Sequence, residues 1–275
     1  MSIREQVEDA IFLANNGRHV GALTIMMLAI AASSRKVFPQ GTMSLKEPKK
    51  GKPEKMYDEE AFTLYLGGRI RTLLFNPVMG AGHGDSGVMV SFRGQMLDLA
   101  YILYKYYRCA LIHEANLPED VEFISTENDS SVTVITKGDK LALGHGWIHL
   151  LIDSVVNDPC NAKEFGIKHY KLSLNPEVDE QAFINTLTGR YGVCYGRYAA
   201  MKEALFLLSD DTINQSSDTD LIGHFQRLVD SGEIIGGMIT GLSIDNNLTD
   251  RSGKLQPNGV AMLRDMANSF KKVEI

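Results

Sequence analysis

A mainly α fold, an antiparallel helical bundle with a small β-hairpin and a helical C-terminal extension, is predicted by three observations. The first 120 residues of the chain carry apolar positions at helical spacing. β-like runs are confined to two short stretches between residues 130 and 143, and helical patterns then return to near the C-terminus. With 275 residues, 44% apolar and 23% charged, the chain has ordinary globular composition and length enough to bury a core.

Residues 3–15 and 18–36 read as two helices separated at Asn15-Asn16-Gly17, a turn signal. The second contains VGALTIMMLAIAA, residues 20–32, thirteen uncharged residues against the roughly 20 that a bilayer span requires. Ala29-Ile30-Ala31 looks like a signal-peptide cleavage site, but Glu5, Glu8 and Asp9 stand where such a peptide would be basic. The run is read as a buried core helix, and no membrane association is expected.

KEPKKGKPEK, residues 46–55, has no apolar face and reads as a mobile loop. A third helix is expected over 58–75, with Asp58, Glu59 and Glu60 at the positive end of its dipole. Asn76-Pro77 ends it, and GAGHGDSG, residues 80–87, reads as a flexible glycine loop before a fourth helix over 94–116. SVTVIT and KLAL, joined by Lys137-Gly138-Asp139, form the predicted hairpin. Helical patterns follow at 146–157, 178–208, 218–230 and 258–271. Two domains are expected, residues 1–160 and 161–275, with no internal repeats.

Cys109, Cys160 and Cys194 are widely spaced, which suggests neither a disulfide framework nor a zinc ribbon and fits a cytoplasmic setting. The net charge of −6 argues against a protein that coats nucleic acid non-specifically. Charge is unevenly placed, however: residues 1–120 hold 14 Lys+Arg against 13 Asp+Glu, and the remainder 14 against 21. Any phosphate contact is expected in the first part.

Several motif-like stretches lack the context their chemistry needs. Gly82, Gly84 and Gly87 satisfy G-x-G-x-x-G but follow a helix rather than a strand. GDSG at 84–87 resembles a trypsin-like nucleophile motif without a triad around Ser86 and His83. His145 and His149 are spaced i, i+4, but Gly144, Gly146 and Trp147 place only the start of a helix there. DNNLTD, residues 245–250, lacks the glycine and closing glutamate of a calcium loop and reads as a turn. No metal and no cofactor are expected.

The chemistry-bearing candidate is YYRCALIHEA, residues 106–115, on the fourth helix. In a chain with 12 arginines and 7 histidines an Arg and a His at such spacing arise about once by chance. On a helical wheel His113 lies about 140° from Arg108, and the sector between them holds Ile112, Lys105, Asp98, Cys109 and Ile102. Leu99, Ala110, Leu103, Met96, Tyr107, Ala100 and Leu111 form the opposite, apolar half. The pair therefore borders one polar face, and two residues so far apart need a partner helix to act together. His113 sits in the last turn before Pro118, where the helix dipole favours its protonated form. An imidazole that moves the proton of a ribose 2′-hydroxyl, beside a guanidinium that steadies phosphoryl charge, suits metal-free cleavage of RNA. Lys105, Tyr104 and Asp98 are the candidate substrate-binding residues, Tyr104 and Tyr106 as stacking surfaces and Tyr107 more as core.

LYKYYRCALIHEANLP, residues 103–118, resembles the HEPN superfamily, whose signature is Arg, four to six residues, then His. The resemblance covers about residues 1–160. It implies a HEPN-like bundle, a homodimer through the motif helix, and a metal-independent endoribonuclease of a toxin–antitoxin or phage-defence system, with Arg108 and His113 catalytic and RNA as partner. Active members often carry Asn, Asp or His after the arginine, and this chain has Cys109. The alternative is a catalytically silent binding or scaffold module acting through protein partners or a nucleotide.

Overall fold

A computed structural model describes residues 1–47, 54–75, 82–234 and 236–275. It divides the chain into two compact units, Met1–Lys168 and His169–Ile275. The structure is 56% helical and 13% strand, with three small sheets, one of them mixed. An α/β mixture thus replaces the mainly α, HEPN-like bundle expected from sequence. The strands are four or five residues long, too short for a period-two pattern to stand out against their surroundings.

In the first unit, α1 (Ile3–Asn15) begins with a capping box: the Glu5 N–H donates to Ser2 Oγ at 3.1 Å and the Ser2 N–H donates to Glu5 Oε2 at 2.6 Å. Helix α2 (His19–Val37) buries Leu23, Met26, Met27 and Ile30 completely. It is the one helix among the described residues long and apolar enough to cross a membrane. Helix α3 (Asp58–Phe75) packs against it. The glycine loop lies directly on α3: a Cβ on Gly67 would stand 2.2 Å from the Gly84 carbonyl oxygen, and one on Gly68 2.6 Å from that of Gly82. The described part of that loop, from Gly82, is therefore seated on a helix rather than loose. Residues 48–53 of the lysine-rich segment, and 76–81, which hold Asn76-Pro77 and the loop's first two residues, lie outside the described residues.

Strands β1 (Met89–Phe92) and β2 (Gln95–Asp98) form a hairpin where a helix start was expected. Its two-residue turn, Arg93-Gly94, has both φ values positive, 49° and 69°, as a primed hairpin turn requires. The motif helix then runs as α4 (Leu99–Ile102), a π-helical turn (Leu103–Arg108) and α5 (Cys109–His113). Met96, placed by the wheel on an apolar helix face, is an exposed strand residue, and Ile102, placed in the polar sector, is fully buried. A π turn carries one residue more than an α turn, so wheel phases do not persist across it.

Strands β3 (Val121–Ile124), β4 (Val134–Lys137) and β5 (Lys140–Gly144) make the mixed sheet in the order β3-β5-β4, β3 parallel and β4 antiparallel to β5. Helices α6 (Trp147–Val156) and α7 (Ala162–Phe165) complete the unit. The segment 159–165 belongs to it because the buried Asn161 amide donates to Ser33 Oγ and the Val155 carbonyl, both at 2.9 Å, and Lys36 pairs with Glu164.

In the second unit β6 (Tyr170–Leu174) pairs antiparallel with β7 (Phe270–Glu274). The helix expected over 178–208 is two, α8 (Glu180–Tyr191) and α9 (Tyr195–Leu208), because Gly192 ends the first at φ 62°. Helices α10 (Asp210–Gln215), α11 (Asp218–Asp230), α12 (Gly236–Leu242) and α13 (Pro257–Ala267) follow. The helix expected over 258–271 thus stops at Ala267 and gives way to a strand.

Candidate functional site

Asp98 starts the motif helix. One carboxylate oxygen accepts the Ala100 N–H at 2.9 Å, and the other accepts the Ser86 N–H and hydroxyl at 2.8 and 2.7 Å. Both oxygens are engaged, one in a helix cap and the other in a loop anchor. Ser86 is fully buried.

The π turn carries three tyrosines. Tyr107 is buried and donates to the Glu122 carbonyl at 2.8 Å, so it is core, and burial pushes its hydroxyl far up. Tyr106 lies with its ring centroid 4.8 Å from the Arg93 guanidinium, which also makes two 2.7 Å bonds to Asp120. Tyr104 is half-buried and packs on Phe62 at 5.4 Å. Burial raises its hydroxyl above the usual range.

Arg108 lies over the Tyr104 ring, 5.4 Å from its centroid. Its Nε is buried and has no hydrogen-bond partner among the described residues. Unlike Arg93, it makes no ion pair among them. Lys105 and His113 are exposed, also without an acidic partner among the described residues, and His113 is the last residue of α5, where Glu114 closes the helix and Ala115 turns to φ 54°. The structure therefore brings Arg108 together with Tyr104 but makes no bond or ring contact between Arg108 and His113. Cys109 is half-buried between them.

Sequence reasoning missed a second cluster. His19, the first residue of α2, stacks on His145 with ring centroids 3.8 Å apart and planes 18° apart. His145 Nδ1 lies 3.5 Å from Asp129 Oδ2, and its ring tilts onto Phe123 at 4.9 Å. Burial and the neighbouring His145 hold His19 below the ordinary histidine range, and Asp129 offsets part of this. No spacing joins residues 126 positions apart, so no sequence signal points to the pair. His149 is not part of it: α6 begins at Trp147, which leaves His145 outside the helix that carries His149. No group of three or more metal-ligating side chains occurs among the described residues.

Among known proteins, the model of one family, Rv1289, matches residues 2–193. No curated protein and no solved structure matches.

Proposed function

The chain belongs to the Rv1289 family, and from the unpaired cationic edge of its motif helix we propose that it is a metal-independent endoribonuclease acting through Arg108 and His113. The observation that carries this reading is the free Arg108 guanidinium, held against the Tyr104 ring without a carboxylate partner among the described residues. An arginine kept unpaired is available to a phosphate, and Lys105 adds an exposed cation on the same helix. The HEPN-like Arg-to-His spacing supports the same chemistry.

In this mechanism Arg108 binds the non-bridging phosphoryl oxygens. His113 takes the proton from a ribose 2′-hydroxyl, which attacks phosphorus and leaves a 2′,3′-cyclic phosphate, and the 5′-oxygen departs with a proton. One chain supplies one such histidine and no contact between it and Arg108. A second copy of the motif helix facing the first would supply a second acid/base group and place an arginine opposite, so the active form is a homodimer.

Cleavage of RNA in EDTA by the purified chain tests this. The wild type is expected to give 2′,3′-cyclic phosphate ends, and Arg108→Ala and His113→Ala each to lose activity about 100-fold or more with the fold retained. Cutting that survives both substitutions, or no cutting of any RNA by the wild type, removes the proposal. The separation of Arg108 from His113 within a chain favours a second reading, a non-cleaving binding module. It is supported if RNA or a protein partner binds in an Arg108-dependent way without cleavage.

A further inference from the structure

Where α1 turns into α2 there is a groove of about 500 Å³, lined by Leu13, Gly17, Arg18, His19, Val20, Gly21 and His145. Its polar side is short of negative charge. The charged groups acting on His19 are His145 and Asp129, and Arg18 lines the same groove. Asp129 is already engaged, accepting from Ser125 Oγ at 2.8 Å and from the Thr126 N–H at 2.6 Å. Arg18 makes no ion pair among the described residues. Two imidazoles 3.8 Å apart share this one carboxylate, so charging both requires another anion. His145 Nδ1 is buried and makes no hydrogen bond among the described residues.

The surroundings of the imidazole pair add to this need. Arg18 occupies the N-cap of α2 without a side-chain cap, so the helix's positive end also opposes a charge on His19. Leu13 and Val20 are apolar walls, able to cover a ligand body larger than an ion.

We propose that this groove binds a small organic phosphate monoester, taken up together with one solvent proton on the His19–His145 pair. The phosphate meets Arg18 and the imidazoles, and its negative charge favours protonation of His19, which burial and the neighbouring ring disfavour in the empty groove. The organic portion lies against Leu13 and Val20. This site is separate from the Arg108–His113 pair and does not depend on it.

Calorimetric titration of the full chain with phenyl phosphate at pH 7, in two buffers of different ionisation enthalpy, reads affinity and proton uptake together. One site with net proton uptake is expected. Affinity should fall about 10-fold or more in Arg18→Ala and in His19→Phe, which keeps a ring in the stack. It should be unchanged in Arg108→Ala, and inorganic phosphate should bind more weakly than phenyl phosphate. Circular dichroism of both variants confirms that they fold. No binding at about 10 mM, unchanged affinity in both variants, equal loss in Arg108→Ala, binding without proton uptake, or equal affinity for inorganic phosphate would each overturn the proposal.

Discussion

The Arg108 guanidinium carbon lies 5.4 Å from the centroid of the Tyr104 ring, one π-helical turn earlier in the chain. The ring face keeps an otherwise unpaired cation in place, and Phe62 fixes the ring from α3. Tyr104→Phe preserves the face and should leave RNA affinity unchanged. Tyr104→Leu should weaken it by about 0.5–1 kcal/mol, roughly two- to five-fold. Filter binding across a salt series measures this, and equal affinity of the leucine variant would show that the ring does not position Arg108.

The contact of Gly67 with the Gly84 carbonyl gives a stability test of the seated loop. A Cβ at 2.2 Å from that oxygen cannot be accommodated without moving backbone, so Gly67→Ala should cost about 3 kcal/mol or more. Gly21→Ala meets only the Leu13 side chain at 3.5 Å and should be neutral or stabilise by up to about 1 kcal/mol. Trp147, the chain's one tryptophan and part of the first unit, reports both melts by fluorescence.

Arg93 and Asp120 give a pH dependence with a defined sign. The arginine's bonds hold the Asp120 carboxyl below its ordinary value of 3.8, so the pair's contribution is present above the carboxylate range and is lost as pH falls through the lowered folded value. Both side chains are partly exposed, and the contribution is about 1 kcal/mol or less. Arg93→Ala should therefore destabilise the first unit more at pH 7 than near pH 2, where only the loss of its contact with the Tyr106 ring remains. Urea midpoints at the two pH values measure the difference.

Thiol labelling separates two of the three cysteines. Burial pushes Cys160 up to about 12, whereas N–H donation from Arg197, the larger effect, and from Gly196 holds exposed Cys194 below the usual thiol range. At pH 7.5 iodoacetamide should modify Cys194 first and leave Cys160 unlabelled in the folded protein. Peptide mass spectrometry shows the order, and early labelling of Cys160 would contradict its burial.

Sequence by itself determined the elements whose signals are local. Helices expected at 3–15, 18–36 and 58–75 are found at Ile3–Asn15, His19–Val37 and Asp58–Phe75, because caps, dipole charges and 3.6-residue periodicity act within a few residues. The β4–β5 hairpin followed from Gly138, whose φ of 60° is what its turn requires. Lys105 and Arg108 lie in helical backbone as their spacing predicts, within a π turn that it does not.

Only the tertiary structure decided the rest. β3 owes its strand form to parallel pairing with β5, and β6 to pairing with β7 a hundred residues on, energies that neither segment contains alone. The π turn moved Ile102 into the core against its wheel phase, and hydrogen bonds from Ala100 and Ser86 engage both Asp98 carboxylate oxygens. The His19–His145 stack arises because packing brings the start of α2 against the end of β5, a proximity set by burial rather than by spacing along the chain.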